Sequence, residues 1–63
     1  MTLVHLLWKM YADQNLRVND TRTGVTVTAN VETIINDHPE LLDGNVDAIH
    51  FSRTFNEVMI DLD

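Results

Sequence analysis

The chain ends in an alternation of apolar and polar side chains that constrains its fold more than any other stretch. Val58, Ile60 and Leu62 fall on one side of an extended chain, and the other side carries Glu57, Met59, Asp61 and Asp63. A period of two is typical of a strand with one buried face and one exposed face. The pattern therefore predicts a half-buried strand over these residues.

A second alternating run precedes this strand and predicts that the two runs pair as a β-hairpin. Ile49 and Phe51 alternate with small or polar residues within residues 46–52. Residues 53–56 separate the two runs, and a loop of that length is usually built on a type I turn. We therefore expect residues 46–63 to fold back on themselves as two antiparallel strands.

The N-terminal residues predict a helix from Leu3 to Asp13 with Thr2 as its cap. Apolar side chains at helical spacing form a stripe that we expect to be buried: Leu3, Leu6, Leu7 and Met10. Val4, Trp8 and Tyr11 form a second stripe beside it. Either a tilt of the helix covers both stripes, or the two aromatic side chains stay open for a partner. Because large aromatic side chains are most often buried, we expect them to be covered.

Two more strands are predicted after the first helix, over Asn15–Asp20 and Val25–Ala29. In each, apolar residues alternate with polar ones, and the expected inward side chains are Leu16, Val18, Val25, Val27 and Ala29. Residues 20–24 have the composition of a turn, and Gly24 is free to adopt a positive φ. These strands should pair as a first hairpin.

The segment between the hairpins predicts a short helix over Val31–Asn36, capped by Asn30. The alternative is that the preceding strand continues through Val31. Pro39 and Gly44 then flank one further helical turn, because proline is favoured at the first helical position and glycine just past the last.

These elements predict one α+β domain, residues 1–63, in the order helix-strand-strand-helix-strand-strand. The economical arrangement is a four-stranded antiparallel sheet with the helices packed on one face. The other face would then be open to water or a partner, with the side chains of Arg17, Thr26, Thr28, Ala48, His50, Met59 and Asp61. The sequence does not fix the strand order.

Charge is distributed unevenly along the chain, whose net charge is −6. Residues 1–22 have three basic and two acidic side chains, a net of +1, whereas residues 23–63 have eight acidic side chains and one basic, a net of −7. This balance argues against direct binding to nucleic acid or to an anionic membrane, since both rely on lysine and arginine. It favours a partner with a basic surface, unless the acids only keep the protein soluble.

Four of these acids recur every three or four residues and form a candidate binding feature, which we call the acidic ridge: Asp37, Glu40, Asp43 and Asp47. Their spacing is comparable to that of phosphates along a nucleic acid, so the acidic ridge could occupy a basic groove on another protein. The alternative is a solvated loop. Residues 37–50 do not match an EF-hand loop, because with Gly44 in the glycine position Pro39 and Leu41 fall on ligand positions.

Reaction chemistry is not predicted. His5, His38 and His50 lack the spacing that groups imidazoles around a metal ion, and the lone serine, Ser52, has no nucleophile motif. With no cysteine, disulfides and thiolate sites are excluded. We expect no catalytic residue, no metal and no cofactor. The apolar start lacks a basic segment and a cleavage site, so we expect a cytoplasmic protein.

In style, the chain resembles the short acidic proteins encoded by bacteriophages and prophages. The resemblance lies in the opening helix to Tyr11, the run Leu16–Asp20, the run Leu41–Asp43 and the alternating acidic ending Ile60–Asp63. Several such proteins are stoichiometric inhibitors of host defences, including anti-CRISPR and anti-restriction proteins, and some imitate nucleic acid. The resemblance implies an inhibitor of that type.

Two functional hypotheses follow. In the first, the chain is a small acidic protein-binding module that occupies a basic, nucleic-acid-binding surface of a host protein. Its partner-binding residues would be Asp37, Glu40, Asp43, Asp47, Asp61, Trp8, Tyr11 and Phe55. In the second, it is a structural protein that forms a homodimer because its own core is small. That dimer would use Trp8, Tyr11, Phe55 and Met59.

Overall fold

The computed structural model describes all 63 residues as one α+β unit. Its elements are, in chain order, α1 (Leu3–Leu7), β1 (Asn15–Asp20), β2 (Val25–Asn30), α2 (Val31–Asp37), a 3-10 turn (Pro39–Leu41), β3 (Val46–Ser52) and β4 (Glu57–Leu62). The four strands form one sheet in the order β2-β1-β4-β3. Neither helix is long and apolar enough to cross a membrane.

Both predicted hairpins are confirmed. β1 and β2 pair antiparallel from Asn15 opposite Asn30 to Asp20 opposite Val25. β3 and β4 pair antiparallel across the predicted four-residue loop, with one bulge between Val46 and Ala48. Gly24 has a φ of 75° in the first turn. Alternation along each strand was therefore a sufficient guide to the local pairing.

The prediction that the whole sheet is antiparallel is wrong, because β1 and β4 pair in parallel. The connection through α2 takes the chain from one edge of the sheet to the other, and β4 then returns beside β1. This order places the two strands with the most apolar inward faces at the centre, where Val18 lies opposite Ile60. Because the crossover through α2 makes β3 run in the same direction as β2, β4, which is antiparallel to β3, runs parallel to β1.

The core lies between the central strands and the helical segments. Its buried apolar side chains are Leu3, Leu7, Leu16, Val18, Val31, Ile34, Leu41, Ile60 and Leu62. None of them belongs to β2 or β3, so both edge strands remain outside the fully buried core. Gly44 belongs to the same packing, because a Cβ there would lie 2.8 Å from Leu62 Cδ1.

The first helix is shorter than predicted, ending at Leu7 instead of Asp13. Residues 8–14 form turns that direct backbone carbonyls at the start of α2: Ala12 O accepts from Glu32 N and Gln14 O from Val31 N, both at 3.0 Å. These two hydrogen bonds connect the segment after α1 to the first residues of α2. Thr2 precedes α1, but its side chain caps no backbone N–H.

The second helix matches its prediction closely. Asn30 Oδ1 accepts a hydrogen bond from Thr33 N at 2.8 Å, so the cap is confirmed and continuation of β2 through Val31 is wrong. Pro39 begins the 3-10 turn as predicted.

Three apolar side chains that the alternation placed inward are instead about half exposed: Val25 at 51%, Ile49 at 53% and Phe51 at 52%. Helices of five and seven residues are too short to cover four strands. The helical layer therefore leaves parts of both edge strands uncovered.

Candidate functional site

The acidic ridge lies on the connection from α2 to β3. Asp37 is the last residue of α2, Glu40 is in the 3-10 turn, Asp43 follows that turn, and Asp47 is the extra residue of the bulge in β3. All four are exposed. Three of the four acidic-ridge residues therefore lie in regular secondary structure, and all four carboxylates face solvent.

Glu40 and Asp43 open onto the same recess, which has a volume of about 480 Å³. The other residues that line it are Asp20, Arg22, Thr23, Val25 and Leu41. Asp37 and Asp47 are not part of this lining. The structure thus brings two of the four ridge carboxylates together and leaves the other two outside the recess.

The recess also contains a cation, the guanidinium of Arg22. The sequence alone did not connect Arg22 with the acidic ridge. Arg22 Nη1 lies 3.7 Å from Asp43 Oδ1, and His38 Nδ1 lies 3.2 Å from Glu40 Oε1. Asp37 and Asp47 have no ion-pair partner within the chain. These two carboxylates are therefore exposed and unpaired within the chain.

Asp20 holds Arg22 in place. Its carboxylate is buried, with a relative exposure of 2%, and accepts from the Arg22 backbone N–H, from Nε at 3.0 Å and from Nη2 at 3.1 Å. These hydrogen bonds from Arg22 lower the pKa of the Asp20 carboxyl below its ordinary value. The Asp20 carboxylate likewise raises the pKa of the Arg22 guanidinium. The pair fixes the turn between β1 and β2 against the recess.

We predict that this pair makes stability fall in acid. A carboxyl whose pKa is lowered in the folded state stabilises it fully above its unfolded value, and the effect is lost as pH falls through the lower folded value. The stability difference between the wild type and Asp20→Asn should therefore be largest near neutral pH and shrink below about pH 4. Urea unfolding followed by circular dichroism at a series of pH values measures it.

Asp13→Asn provides the matched control, since Asp13 is exposed and has no ion-pair partner. The free energy of unfolding of Asp13→Asn should stay close to that of the wild type at every pH. A difference for Asp20→Asn that does not change from neutral pH to about pH 2 would contradict the prediction.

The two N-terminal aromatic side chains are exposed, which corrects the expectation that they are covered. Trp8 is 70% exposed and Tyr11 85% exposed. Both lie after the end of α1, so the early end of that helix removes them from the stripe that faces the core. The Trp8 ring packs edge to face with the His5 ring, with centroids 5.7 Å apart, and this is the only ring–ring contact in the chain. Both side chains are therefore open, and a partner that covers them stays a prediction.

Phe55 and Asp61 are the other two predicted partner-binding residues outside the acidic ridge. Phe55 is in the β3–β4 loop, is 62% exposed, and has the Arg17 guanidinium 5.3 Å from its ring centroid. Asp61 is exposed on the open face of the sheet, where its carboxylate accepts from Asn19 Nδ2 at 3.5 Å.

Glu57 was expected on the exposed face of its strand but is buried, with a relative exposure of 4%. Arg17 Nε lies 2.9 Å from Glu57 Oε1 as an ion pair. The N–H is not directed at that oxygen, so Oε1 accepts no hydrogen bond. Alternation alone could not reveal this burial, because the cover comes from Arg17 on the neighbouring strand β1.

No group of three or more histidine, aspartate or glutamate side chains is arranged to hold a metal ion. The exposed side chains described above are carboxylates and large aromatic groups. The chain matches no protein-family model, no curated protein and no solved structure at a significant level.

Proposed function

We propose that the chain is a non-catalytic protein-binding module whose acidic ridge docks on a basic surface of another protein. One observation carries this proposal: seven of the eight acidic side chains in residues 23–63 are exposed, against a single basic side chain, Arg53. The surface formed by these residues is therefore strongly negative. Complementary charge of this kind raises association rates and excludes acidic partners.

The acidic ridge suits this role because its backbone is ordered before any partner arrives. Proline at the start of the 3-10 turn and the close packing of Gly44 limit the conformations of the segment. Carboxylates that are held in place lose less entropy on binding than those on a mobile loop. Asp37 and Asp47, which lack a cation within the chain, are expected to contribute most.

The partner in this proposal is a cytoplasmic host protein that uses its basic surface to bind nucleic acid. The chain would then act as a stoichiometric inhibitor, of the anti-CRISPR or anti-restriction type that the resemblance to phage-encoded proteins suggests. Asp61, Trp8, Tyr11 and Phe55 are proposed as secondary contacts around the ridge. Their exposure supports this, because exposed aromatic side chains are common anchors at protein interfaces.

We predict that reversing two ridge charges weakens capture of the partner. The variant Asp37→Lys/Glu40→Lys should bind about tenfold more weakly at low salt, because like charges replace attractive ones. Added salt should reduce the binding of the wild type, since the Debye length shortens from about 30 Å at 0.01 M to about 3 Å at 1 M. The measurement is an affinity capture from bacterial lysate with the tagged chain, washed at both salt concentrations and then quantified with the purified partner.

The matched control is Asp13→Lys/Glu32→Lys, which changes the net charge equally at exposed positions outside the ridge. It should retain most of the wild-type affinity. Equal weakening by both variants would show that only net charge matters, and binding that is indifferent to salt and to both variants would rule out the electrostatic mechanism.

The second candidate function is self-association as a structural protein. The observation in its favour is the exposure of Trp8, Tyr11 and Phe55, which a second copy could cover together with Met59. Small domains with limited cores often gain stability by forming oligomers. The test is the oligomeric state of the purified chain in solution. We expect an oligomer that is lost in the double variant Trp8→Ser/Tyr11→Ser.

A further inference from the structure

The outer edge of β3 is open over most of its length. β3 pairs only with β4 and lies at the end of the sheet. The N-terminal residues cover its beginning, where Leu3 N donates to Gly44 O at 2.9 Å and Val46 N donates to Met1 O at 2.8 Å. From Ala48 to Ser52 nothing pairs with the side of the strand that faces away from β4. Alternate backbone N–H and C=O groups of an edge strand point outward and are free to pair with another strand.

Both faces of this strand are uncovered as well. The five residues from Asp47 to Phe51 are all exposed, and Ile49 and Phe51 are about half exposed on the side of the sheet that carries the helices. The other edge strand differs, because the inward side chains Val27 and Ala29 of β2 are partly buried against the core. β3 therefore exposes more unused apolar surface than β2 does.

The usual protections of an edge strand are missing from its exposed part. Natural edge strands are commonly protected by lysine, proline, bulges or inward-pointing charges. Residues 48–52 contain no charged residue and no proline. The single bulge lies before them, at Asp47. The segment Ala48–Ser52 is thus a flat and uncharged edge between one acid, Asp47, and one base, Arg53.

We propose that β3 pairs with β3 of a second copy of this chain, in antiparallel register about a two-fold axis at His50. This register places Ile49 of each copy opposite Phe51 of the other, so two apolar pairs form on one face. It also places Asp47 of each copy beside Arg53 of the other. Neither Asp47 nor Arg53 has an ion-pair partner within the chain. The two-fold symmetry therefore gives two apolar pairs and two ion pairs from one set of contacts.

Neighbouring registers lose these contacts. A shift by one residue would bring Ile49 opposite His50 and would set outward-pointing backbone groups against inward-pointing ones. A shift by two in one direction brings Arg53 opposite Asn45, where Met1–Leu3 already occupies the edge. A shift by two in the other direction brings Arg53 opposite Ile49. The register centred on His50 is the one that satisfies both the charges and the apolar side chains.

The resulting dimer would contain one continuous eight-stranded sheet in the order β2-β1-β4-β3-β3-β4-β1-β2. It uses Asp47 but none of the other residues of the acidic ridge. This inference does not rest on the proposed binding to a basic partner, and the two are tested on different samples.

Sedimentation equilibrium of the purified chain, from micromolar to sub-millimolar concentration, tests the proposal. The wild type should form a dimer as concentration rises. Arg53→Asp and Asp47→Arg should each raise the dissociation constant about tenfold or more, because like charges then meet at both ends of the paired strands. The double variant Asp47→Arg/Arg53→Asp, which has the wild-type net charge, should return it to within about threefold of the wild type. Ile49→Lys should abolish the dimer.

Two controls separate this register from an effect of net charge. Asp37→Arg matches Asp47→Arg in charge, and Lys9→Asp matches Arg53→Asp, both at exposed positions outside the pairing. Each should leave the dissociation constant within about twofold of the wild type. Circular dichroism melts of every variant at a low concentration verify that the fold is retained.

Three results would overturn the proposal. One is a monomer mass at every concentration. Another is a double variant no tighter than the single reversals, or controls that weaken the dimer as much as those reversals do. The third is a dimer that survives Ile49→Lys and is lost in Trp8→Ser/Tyr11→Ser, which would place the interface on the aromatic side chains.

Discussion

Ile60→Ala should lower the free energy of unfolding by about 2–5 kcal/mol, because it removes apolar atoms from the centre of the core and leaves a cavity. Ile60 is fully buried, with a relative exposure of 0%, and lies opposite Val18 on one side and Ile49 on the other. Domains typically have about 0.05–0.15 kcal/mol of stability per residue, so a chain of this length has about 3–9 kcal/mol in total. The Ile60→Ala substitution should therefore remove a large share of the total free energy of unfolding.

Ile49→Ala is the matched control, since it makes the same chemical change on the same face at the directly paired position. Ile49 is 53% exposed, so less apolar area returns to water when it is truncated and we expect a loss below about 1 kcal/mol. Urea unfolding of both variants by circular dichroism, at concentrations where the wild type is monomeric, gives the comparison. Equal losses would mean that the core does not lie between the central strands and the helices.

The contrast between these two isoleucines shows where inference from the sequence succeeds and where it stops. Alternation identifies Ile49 and Ile60 equally as inward-facing residues, and their shared face is confirmed by the register. Which of them is buried depends on the area that the helices cover, and this is a property of the assembled layer. Local pattern therefore predicts the face of a residue better than its burial.

The parallel pairing of β1 with β4 was out of reach for a similar reason. Each hairpin is a local structure, whose partners are close in sequence and joined by recognisable turns. The relation between the two hairpins depends on how α2 crosses the sheet, and no residue of the sequence specifies that path on its own. The inward faces of Leu16 and Ile60 are the strongest available indication that these strands belong at the centre.

The predicted length of the first helix was wrong for a different reason, because tertiary contacts override local periodicity. The apolar spacing up to Tyr11 favours a helix, but the carbonyls of Ala12 and Gln14 are needed at the start of α2. Hydrogen bonding to the N–H groups of Val31 and Glu32 outweighs the modest propensity of a few further helical residues. The exposure of Trp8 and Tyr11 is a direct result.

Exposure of the acidic ridge was the more predictable part of the candidate site. Carboxylates without a partner avoid burial because of their desolvation cost, so residue type alone indicates that Asp37 and Asp47 face water. The partners of the other acids could not be read in the same way. Arg22 reaches both Asp20 and Asp43 only because the β1–β2 turn lies against the 3-10 turn.

Glu57 leads to the second large expected effect, since it is a buried carboxylate that depends on one neighbour. Its side chain is 6% exposed and that of Arg17 is 37% exposed, so the cost of removing water falls mainly on the glutamate. One of its oxygens accepts no hydrogen bond. Ion pairs of this kind often stabilise a protein less than apolar side chains of similar size would.

Arg17→Met should lower the free energy of unfolding by about 1–3 kcal/mol, because it leaves the Glu57 carboxylate buried without its cation. Methionine keeps an unbranched apolar stem near the ring of Phe55, so the loss reports mainly on the charge. Glu57→Leu should leave stability unchanged or raise it, since it removes the unsatisfied oxygen and lets Arg17 turn to solvent. The double variant should recover most of what Arg17→Met loses, and urea unfolding of all four proteins completes the cycle.

Arg53→Ala is the control for loss of a positive charge, because Arg53 is exposed and unpaired within the chain. It should change the free energy of unfolding by no more than about 0.5 kcal/mol. If Glu57→Leu were as damaging as Arg17→Met, and the double variant recovered nothing, the ion pair itself would be the stabilising element. Burying Glu57 beside Arg17 would then raise the free energy of unfolding, whereas its unsatisfied oxygen leads us to expect that this burial lowers it.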